Sequence, residues 1–319
     1  MNTIATVDIS RWHTGGSAAD EVAAAVDEGL QQAGFILVTG HGVDPALAGE
    51  VRAAARAFFS QPDAVKQRYA VPVGGHGWIG PGAEANGYAE GTETPPDLKE
   101  SYSLGAETAT GDAAVDSVWF APNVWPAEVP SLQARVTEYT GQMRRVADDL
   151  LALFARALGL PRNPFAYLAD RPTWTMNINR YPPVSVVGEP EAGQFRIGPH
   201  TDFGTVTILD REPGAGGLQV YSPAHGWTDA PYDPEALTVN IGDLLQYWTG
   251  RRWPSGRHRV LPPQPHAPEE DLVSLIYFYE ANHDAVFTPL EPPVGRVSGL
   301  EPVTSSAFIK ERLDAITIG

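Results

Sequence analysis

His200 and Asp202, in the run GPHTDFG, form the pairing in this chain best suited to holding a metal ion. In an extended segment, residues i and i+2 point to the same face, so one imidazole and one carboxylate can grip an ion together. Of the eight histidines, only His200 has a carboxylate two residues on. A third ligand has to come from another strand. His258 in GRHRVLP is the best candidate because it sits in a β-like run, whereas His266 lies among prolines and His225 and His283 occupy loop-like positions. Two imidazoles and a carboxylate on one side of an ion leave up to three positions open for exogenous ligands, the facial arrangement that suits non-haem Fe(II). With no cysteine in the chain, disulfides, Cys-ligated zinc, Fe–S clusters and a cysteine nucleophile are all excluded, so any metal must sit on His and carboxylates.

These residues need a frame. Residues 1–160 read as a mainly helical region. Ser17 is the expected cap of a helix whose Val22, Val26 and Leu30 recur at helical spacing, with Gly34 as its stop. FILVT, from Phe35 to Thr39, reads as a strand. Asp44 followed by Pro45 is a cap with proline at the first helical position, and Leu47, Val51, Ala54, Ala55 and Phe58 continue the stripe. Val136, Met143, Val146, Leu150, Phe154 and Leu158 form another. Between them, Gly74 to Asp97 is dense in Gly and Pro with no period. Its Gly80-Pro81-Gly82 only superficially matches a dinucleotide fingerprint; the stretch reads either as a flexible loop or as a substrate-covering lid, the lid running from Gly74 to Tyr88.

From about Thr173 the period shortens to β-rich runs: TWTMNINRY, GTVTILD, GLQVY, LTVNIGD, HRVLP and LVSLIYFYEA, with Gly and Pro at nearly every junction. Residues 173–285 are therefore expected to form an antiparallel sandwich or barrel, and 304–318 a covering C-terminal helix. The fold class is mixed α and β. No polar linker separates the parts, so 1–319 is expected to be one compact unit.

Charge narrows the partners. With 22 Lys plus Arg against 39 Asp plus Glu, the net charge is −17 and the pI about 4.8, which argues against nucleic-acid and anionic-membrane binding. No apolar run approaches a membrane span, and the opening MNTIATVDISRW has no basic region followed by an apolar one; the expected location is cytoplasmic.

The chain resembles the isopenicillin N synthase-like branch of the Fe(II)- and 2-oxoglutarate-dependent dioxygenases. The motifs run in that family's order from VDIS through GFILVTGHGV, PPDLKESYSLG, FAPNVWP, NRYPP, HTDFGTVTIL, GGLQV, VNIGDLLQYWT and RRWPSGRHRV to SLIYFYEANHDAV. The resemblance implies a double-stranded β-helix, or jelly roll, flanked by helices, with iron held by His200, Asp202 and His258. It also implies O2-dependent oxidative decarboxylation of 2-oxoglutarate, coupled to hydroxylation, desaturation or ring closure of a small-molecule substrate.

One part of the family pattern is missing. Members hold the far carboxylate of 2-oxoglutarate with an Arg-x-Ser motif, assisted by the Tyr of an Asn-x-Tyr-Pro run. Asn179 and Tyr181 match, and Ser274 stands in the serine position, but Leu272 replaces the arginine, and from Val260 to Gly295 there is no Lys or Arg. A guanidinium fork binds a carboxylate through two charge-assisted bonds that leucine lacks. Three readings follow: another cation substitutes, with Arg196 in QFRIGPHTD the first suspect; the enzyme is an Fe(II)-dependent oxidase that uses no 2-oxoglutarate; or the chain binds small molecules without catalysis. Ile276 and Phe278 should share the inward face of Leu272, and Arg257 and Arg259 should point away from His258.

Overall fold

The computed structural model describes residues 4–91 and 94–316. Three long helices arise where apolar residues recur at spacings of three and four. Helix α1 (Gly16–Ala33) buries Val22, Val26 and Leu30 and ends at Gly34, whose left-handed φ of 71° and closeness to the Pro254 carbonyl leave no room for a side chain. Its N-cap is Gly15, not Ser17: a short turn of 3-10 helix at Trp12–Thr14 feeds the chain in two residues earlier than expected. Helix α2 (Pro45–Phe59) starts as expected, with the Asp44 carboxylate accepting from Ala46 N–H at 2.9 Å. Helix α3 (Ser131–Ala157) buries Val136, Met143, Val146, Leu150 and Phe154.

The strands are β1 (Ala5–Asp8), β2 (Phe35–Thr39), β3 (Trp78–Ile79), β4 (Glu100–Gly105), β5 (Trp174–Tyr181), β6 (Ile197–His200), β7 (Val206–Asp210), β8 (Leu218–Ser222), β9 (Gly226–Asp229), β10 (Leu237–Ile241), β11 (His258–Val260) and β12 (Leu272–Tyr279). Eight of them form one sheet in the order β1-β2-β10-β7-β12-β5-β4-β3, and four form a second in the order β6-β11-β8-β9. The N-terminal region therefore adds four strands, two at each edge of the larger sheet. Trp78–Ile79, inside the stretch where no period was legible, is a strand only because it pairs with β4.

Strand β12 shows how the sheet divides the molecule. Val273, Leu275, Tyr277 and Tyr279 join Met176, Ile178, Ile208 and Val239 in the core packed against the helices. Arg52 of α2 donates to the Val273 carbonyl at 3.0 Å. The alternate residues Leu272, Ser274, Phe278 and Glu280 face cavities instead. A smaller apolar cluster of Phe35, Leu37, Leu218 and Val220 ties the two sheets together at one end. Fully burying each of these aliphatic or aromatic side chains stabilises the fold by about 1.5–3 kcal/mol. The C-terminal helix α4 (Ser305–Ile316) sends Ile309 and Leu313 to the cavity wall; positions 317 and 318 of the expected helix lie outside the described residues.

Candidate active site

Antiparallel pairing of β6 with β11 places His200 directly opposite His258, and their rings sit 4.2 Å apart between centroids. Asp202 follows β6 by two residues, with its Oδ1 3.8 Å from His200 Nε2. The ligand atoms of the three residues lie within 4.8 Å of one another, a geometry that can hold a metal ion, and among the described residues no other such group occurs. Each histidine is aimed by a bond from its own strand: His200 Nδ1 pairs with the Gly198 carbonyl at 2.8 Å and His258 Nδ1 with the Gly256 carbonyl at 2.9 Å. Those bonds keep each Nδ1 protonated and leave Nε2 as a lone-pair donor. Phe35 packs edge-on against His258 at 5.4 Å.

The carboxylate is prepared in the same way. Its Oδ2 accepts from Thr207 Oγ1 at 2.6 Å and Asn240 Nδ2 at 2.6 Å, so Oδ1 remains for an ion. Burial pushes the Asp202 carboxyl up, but the two imidazoles and these two donors outweigh it and hold the group below the ordinary carboxylate range.

A second cavity is bordered by Val260, two residues beyond His258 on β11. Arg196 lies just before β6, four residues from His200 along the chain, and its backbone N–H donates to the Val260 carbonyl at 3.0 Å. The Arg196 side chain is fully buried. Its Nη1 donates to the Gly216 carbonyl at 2.6 Å and to Glu270 at 3.2 Å, while Nε and Nη2 are buried with no hydrogen-bond partner. Two unsatisfied donors on a buried cation are costly in a folded protein and mark a place where an acceptor belongs. Arg196 lines a cavity of about 40 Å³ together with Tyr181, Arg211, Leu272 and Ser274 among others. The Tyr181 ring lies 5.7 Å from the Arg196 guanidinium. Burial pushes the Tyr181 phenol up to about 12, against the pull of the Asn179 hydrogen bond, the Arg196 charge and Ser274. Asn179 itself accepts from Ser101 at 2.8 Å.

The structure thus brings Tyr181, Ser274, Arg196 and the substituting Leu272 to one cavity, with Asn179 behind them. Ile276 is buried but lines neither this cavity nor the next, while Phe278 reaches the larger one. Arg257 stacks on Tyr221 and Trp227, and Arg259 bonds Gln219 and covers Trp227, both away from the triad. Arg211 was missed by the sequence reading. It follows β7, donates to the Pro231 carbonyl at 2.7 Å, and is depressed by burial while the Tyr232 and Tyr181 phenols pull it up. Nothing in its local sequence distinguishes it from a surface cation.

The larger cavity, about 270 Å³, opens onto His200, Asp202 and Phe203 and is walled by Asn177, Phe278, Glu280 and the segment from Gly74 to Asn86. That segment is fastened down. Asp97 accepts from Asn86 Nδ2 at 2.7 Å and from Gly198 N–H at 3.1 Å, joining it to the strand that carries His200, and Glu84 pairs with the buried Lys99. The approach is so close that a Cβ on Gly198 would stand 2.7 Å from Gly87 N. Gly80 and Gly82 belong to this cover, and the dinucleotide-like spacing has no phosphate-binding counterpart in it.

Glu280, also missed, directly follows β12. Its Oε2 accepts from Thr205 N–H at 2.9 Å, and its carboxyl fills the space a side chain at Gly204 would need. Burial, reinforced by the charge of Asp202, raises it to about 8 against the pull of the Thr205 N–H.

Comparison with known proteins agrees with this geometry. Residues 4–128 match the family described as non-haem dioxygenase in morphine synthesis N-terminal, and residues 173–281 match the 2OG-Fe(II) oxygenase superfamily. Validamycin A dioxygenase of Streptomyces hygroscopicus subsp. limoneus is 40% identical over 99% of this chain and 87% of its own. A homoarginine-6-hydroxylase of Glycine max is 32% identical over 88% and 83%. Among solved structures, a 2OG-Fe(II) oxygenase family protein from Caulobacter crescentus superposes with TM-score 0.84 at 27% identity, covering 99% of this chain and 100% of that one. A full-length Neurospora crassa protein in complex with alpha-KG and thymine does so with TM-score 0.83 at 27% identity, covering 98% and 96%. The two sheets are therefore the double-stranded β-helix expected from the sequence. The chain belongs to the 2OG-Fe(II) oxygenase superfamily and is an oxidoreductase that uses Fe(II), 2-oxoglutarate and O2 on a small-molecule substrate.

Proposed function

We propose that His200, Asp202 and His258 hold the iron and that Arg196, in place of the family arginine that Leu272 has displaced, binds the far carboxylate of 2-oxoglutarate. The observation that carries this reading is the pair of partnerless donors on the buried Arg196 guanidinium, in the cavity that Tyr181 and Ser274 line. Tyr181 and Ser274 add hydroxyl contacts to that carboxylate, and Asn179 positions Tyr181. Arg211, in the same wall, adds positive charge.

Bound Fe(II) and 2-oxoglutarate supply O2 activation; the protein's part is to aim, exclude and hold. The Nδ1 bonds fix the orientation of both imidazoles, and Thr207 with Asn240 keeps Asp202 ionised and single-ended. Residues 74–88 and α4 cover the larger cavity and keep water from the reacting centre. The outcome is hydroxylation, desaturation or ring closure of a small molecule. The partnerless fork supports binding of a carboxylate there, and the family's use of 2-oxoglutarate favours that co-substrate as the ligand. The prepared ligands argue against a binding-only role.

We further infer a cytoplasmic enzyme with neither nucleic-acid nor membrane partners. The −17 charge supports this, and no helix among the described residues is long and apolar enough to cross a membrane. Anaerobic mixing of protein, Fe(II) and 2-oxoglutarate tests the main proposal: the visible metal-to-ligand band should form, and its absence with iron bound would return the oxidase reading.

A further inference from the structure

We infer that the substrate carries a protonated nitrogen that seats on Glu280, beside the iron ligands. This rests on the function proposed above and specifies the kind of molecule that enters the larger cavity.

The cavity is poor in positive charge. No Arg or Lys is among its lining residues. Its titratable groups are His76, Glu84, His200, Asp202 and Glu280. Glu84 is neutralised by Lys99, His76 is tied to the Ala121 carbonyl at 2.7 Å, and His200 and Asp202 belong to the proposed iron site. That leaves Glu280, which has no ion-pair partner among the described residues. One of its oxygens accepts a backbone N–H, and Oε1 accepts nothing.

Its seating shows that the position is built for a carboxyl. A Cβ on Gly204 would lie 1.6 Å from Oε2, so the glycine of HTDFG is what admits the group. Farther along the wall, the buried Oδ1 of Asn177 is also an acceptor without a partner. Both free polar atoms therefore ask the substrate for hydrogen-bond donors. Trp174, Phe203 and Phe278 supply aromatic surface in the same cavity, and π faces favour a cation over an anion. A substrate carboxylate would meet Glu280 unscreened, whereas an ammonium or amidinium would complete its hydrogen bonding and its charge together.

The test uses probes that differ in charge and little in shape: cyclohexylamine, cyclohexanol and cyclohexanecarboxylate. Each is titrated calorimetrically into Fe(II)-loaded protein under argon at about pH 9, where the Glu280 carboxyl is ionised and the amine still protonated, with and without 2-oxoglutarate. The amine should bind at least tenfold more tightly than the alcohol, and the carboxylate more weakly than either. Glu280→Gln keeps an acceptor for Thr205 N–H and removes the charge. It should abolish the amine's advantage and leave the 2-oxoglutarate band unchanged. Equal binding of amine and alcohol, a preference for the carboxylate, or an amine preference that survives Glu280→Gln would overturn the inference. The parent's preference among probes decides the matter even if the variant folds poorly. A missing 2-oxoglutarate band would instead contradict the cofactor reading, and the amine-to-alcohol ratio measured without 2-oxoglutarate still decides this one.

Discussion

Replacing Arg196 by Leu should uncouple 2-oxoglutarate binding from iron binding. In the protein alone, Nε and Nη2 have no partners, so truncation costs only the bonds from Nη1 to Gly216 and Glu270. Glu270 keeps a backbone donor at 3.1 Å from Gly216 N–H and another from Ala215. The triad, about four residues up the strand, is untouched, so Fe(II) affinity should hold. What is lost is the fork for an incoming carboxylate. Leaving such a charge unpaired in a buried site costs about 3–5 kcal/mol, which corresponds to a loss of roughly 150-fold to several thousand-fold in affinity. Arg196→Lys keeps the charge without the planar fork and should fall between parent and Leu variant. Titrating 2-oxoglutarate anaerobically into Fe(II)-loaded protein and following the metal-to-ligand band measures both. The strongest check is Arg196→Leu combined with Leu272→Arg, which restores a guanidinium where the family usually has one and should recover much of the binding. If Arg196→Leu binds 2-oxoglutarate as tightly as the parent, the assignment of the anchor is wrong.

Three other outcomes follow from the geometry. Asn240→Leu removes one of the two donors on Asp202 Oδ2 and should weaken Fe(II) binding by about 10–100-fold in anaerobic titration. Gly198→Ala should force the cover away from β6, since its Cβ would meet Gly87 N at 2.7 Å; hydrogen exchange across residues 84–91 should quicken while iron binding persists. Glu280 should make the metal-free protein less stable as pH rises. A carboxyl raised from its usual range to about 8 costs nothing below the unfolded value, and the cost grows until pH passes about 8. Glu280→Gln should therefore raise Tm more at pH 8 than at pH 5, and an equal gain at both would refute that electrostatic account.

The candidate metal site was legible in the sequence because its parts are local: His200 and Asp202 stand two apart at the end of β6, and a lone strand histidine, His258, pairs opposite His200. The helices were legible for the same reason, through stripes such as Val136 to Phe154 and the Asp44–Pro45 start. Features that depend on contacts distant in sequence were less so. Arg196 stood out only as a nearby cation; its two partnerless donors emerge once β6, β12 and the Gly216 turn enclose it. Arg211 and Glu280 carry no local signature, since their importance comes from burial and from the neighbours that folding gives them. Ser17 misled because a good capping residue is a local preference, and the preceding 3-10 turn at Trp12–Thr14 decided the helix start instead. Trp78–Ile79 is too short to show a period and exists by pairing with Tyr102 and Ser101.

The central claim is that His200, Asp202 and His258 together hold the iron. Anaerobic Fe(II) titration of the parent, His200→Ala and His258→Ala tests it most directly. The parent should bind one equivalent, and each variant should lose that binding while keeping the parent's circular dichroism. Fe(II) bound by either variant as tightly as by the parent would contradict the assignment.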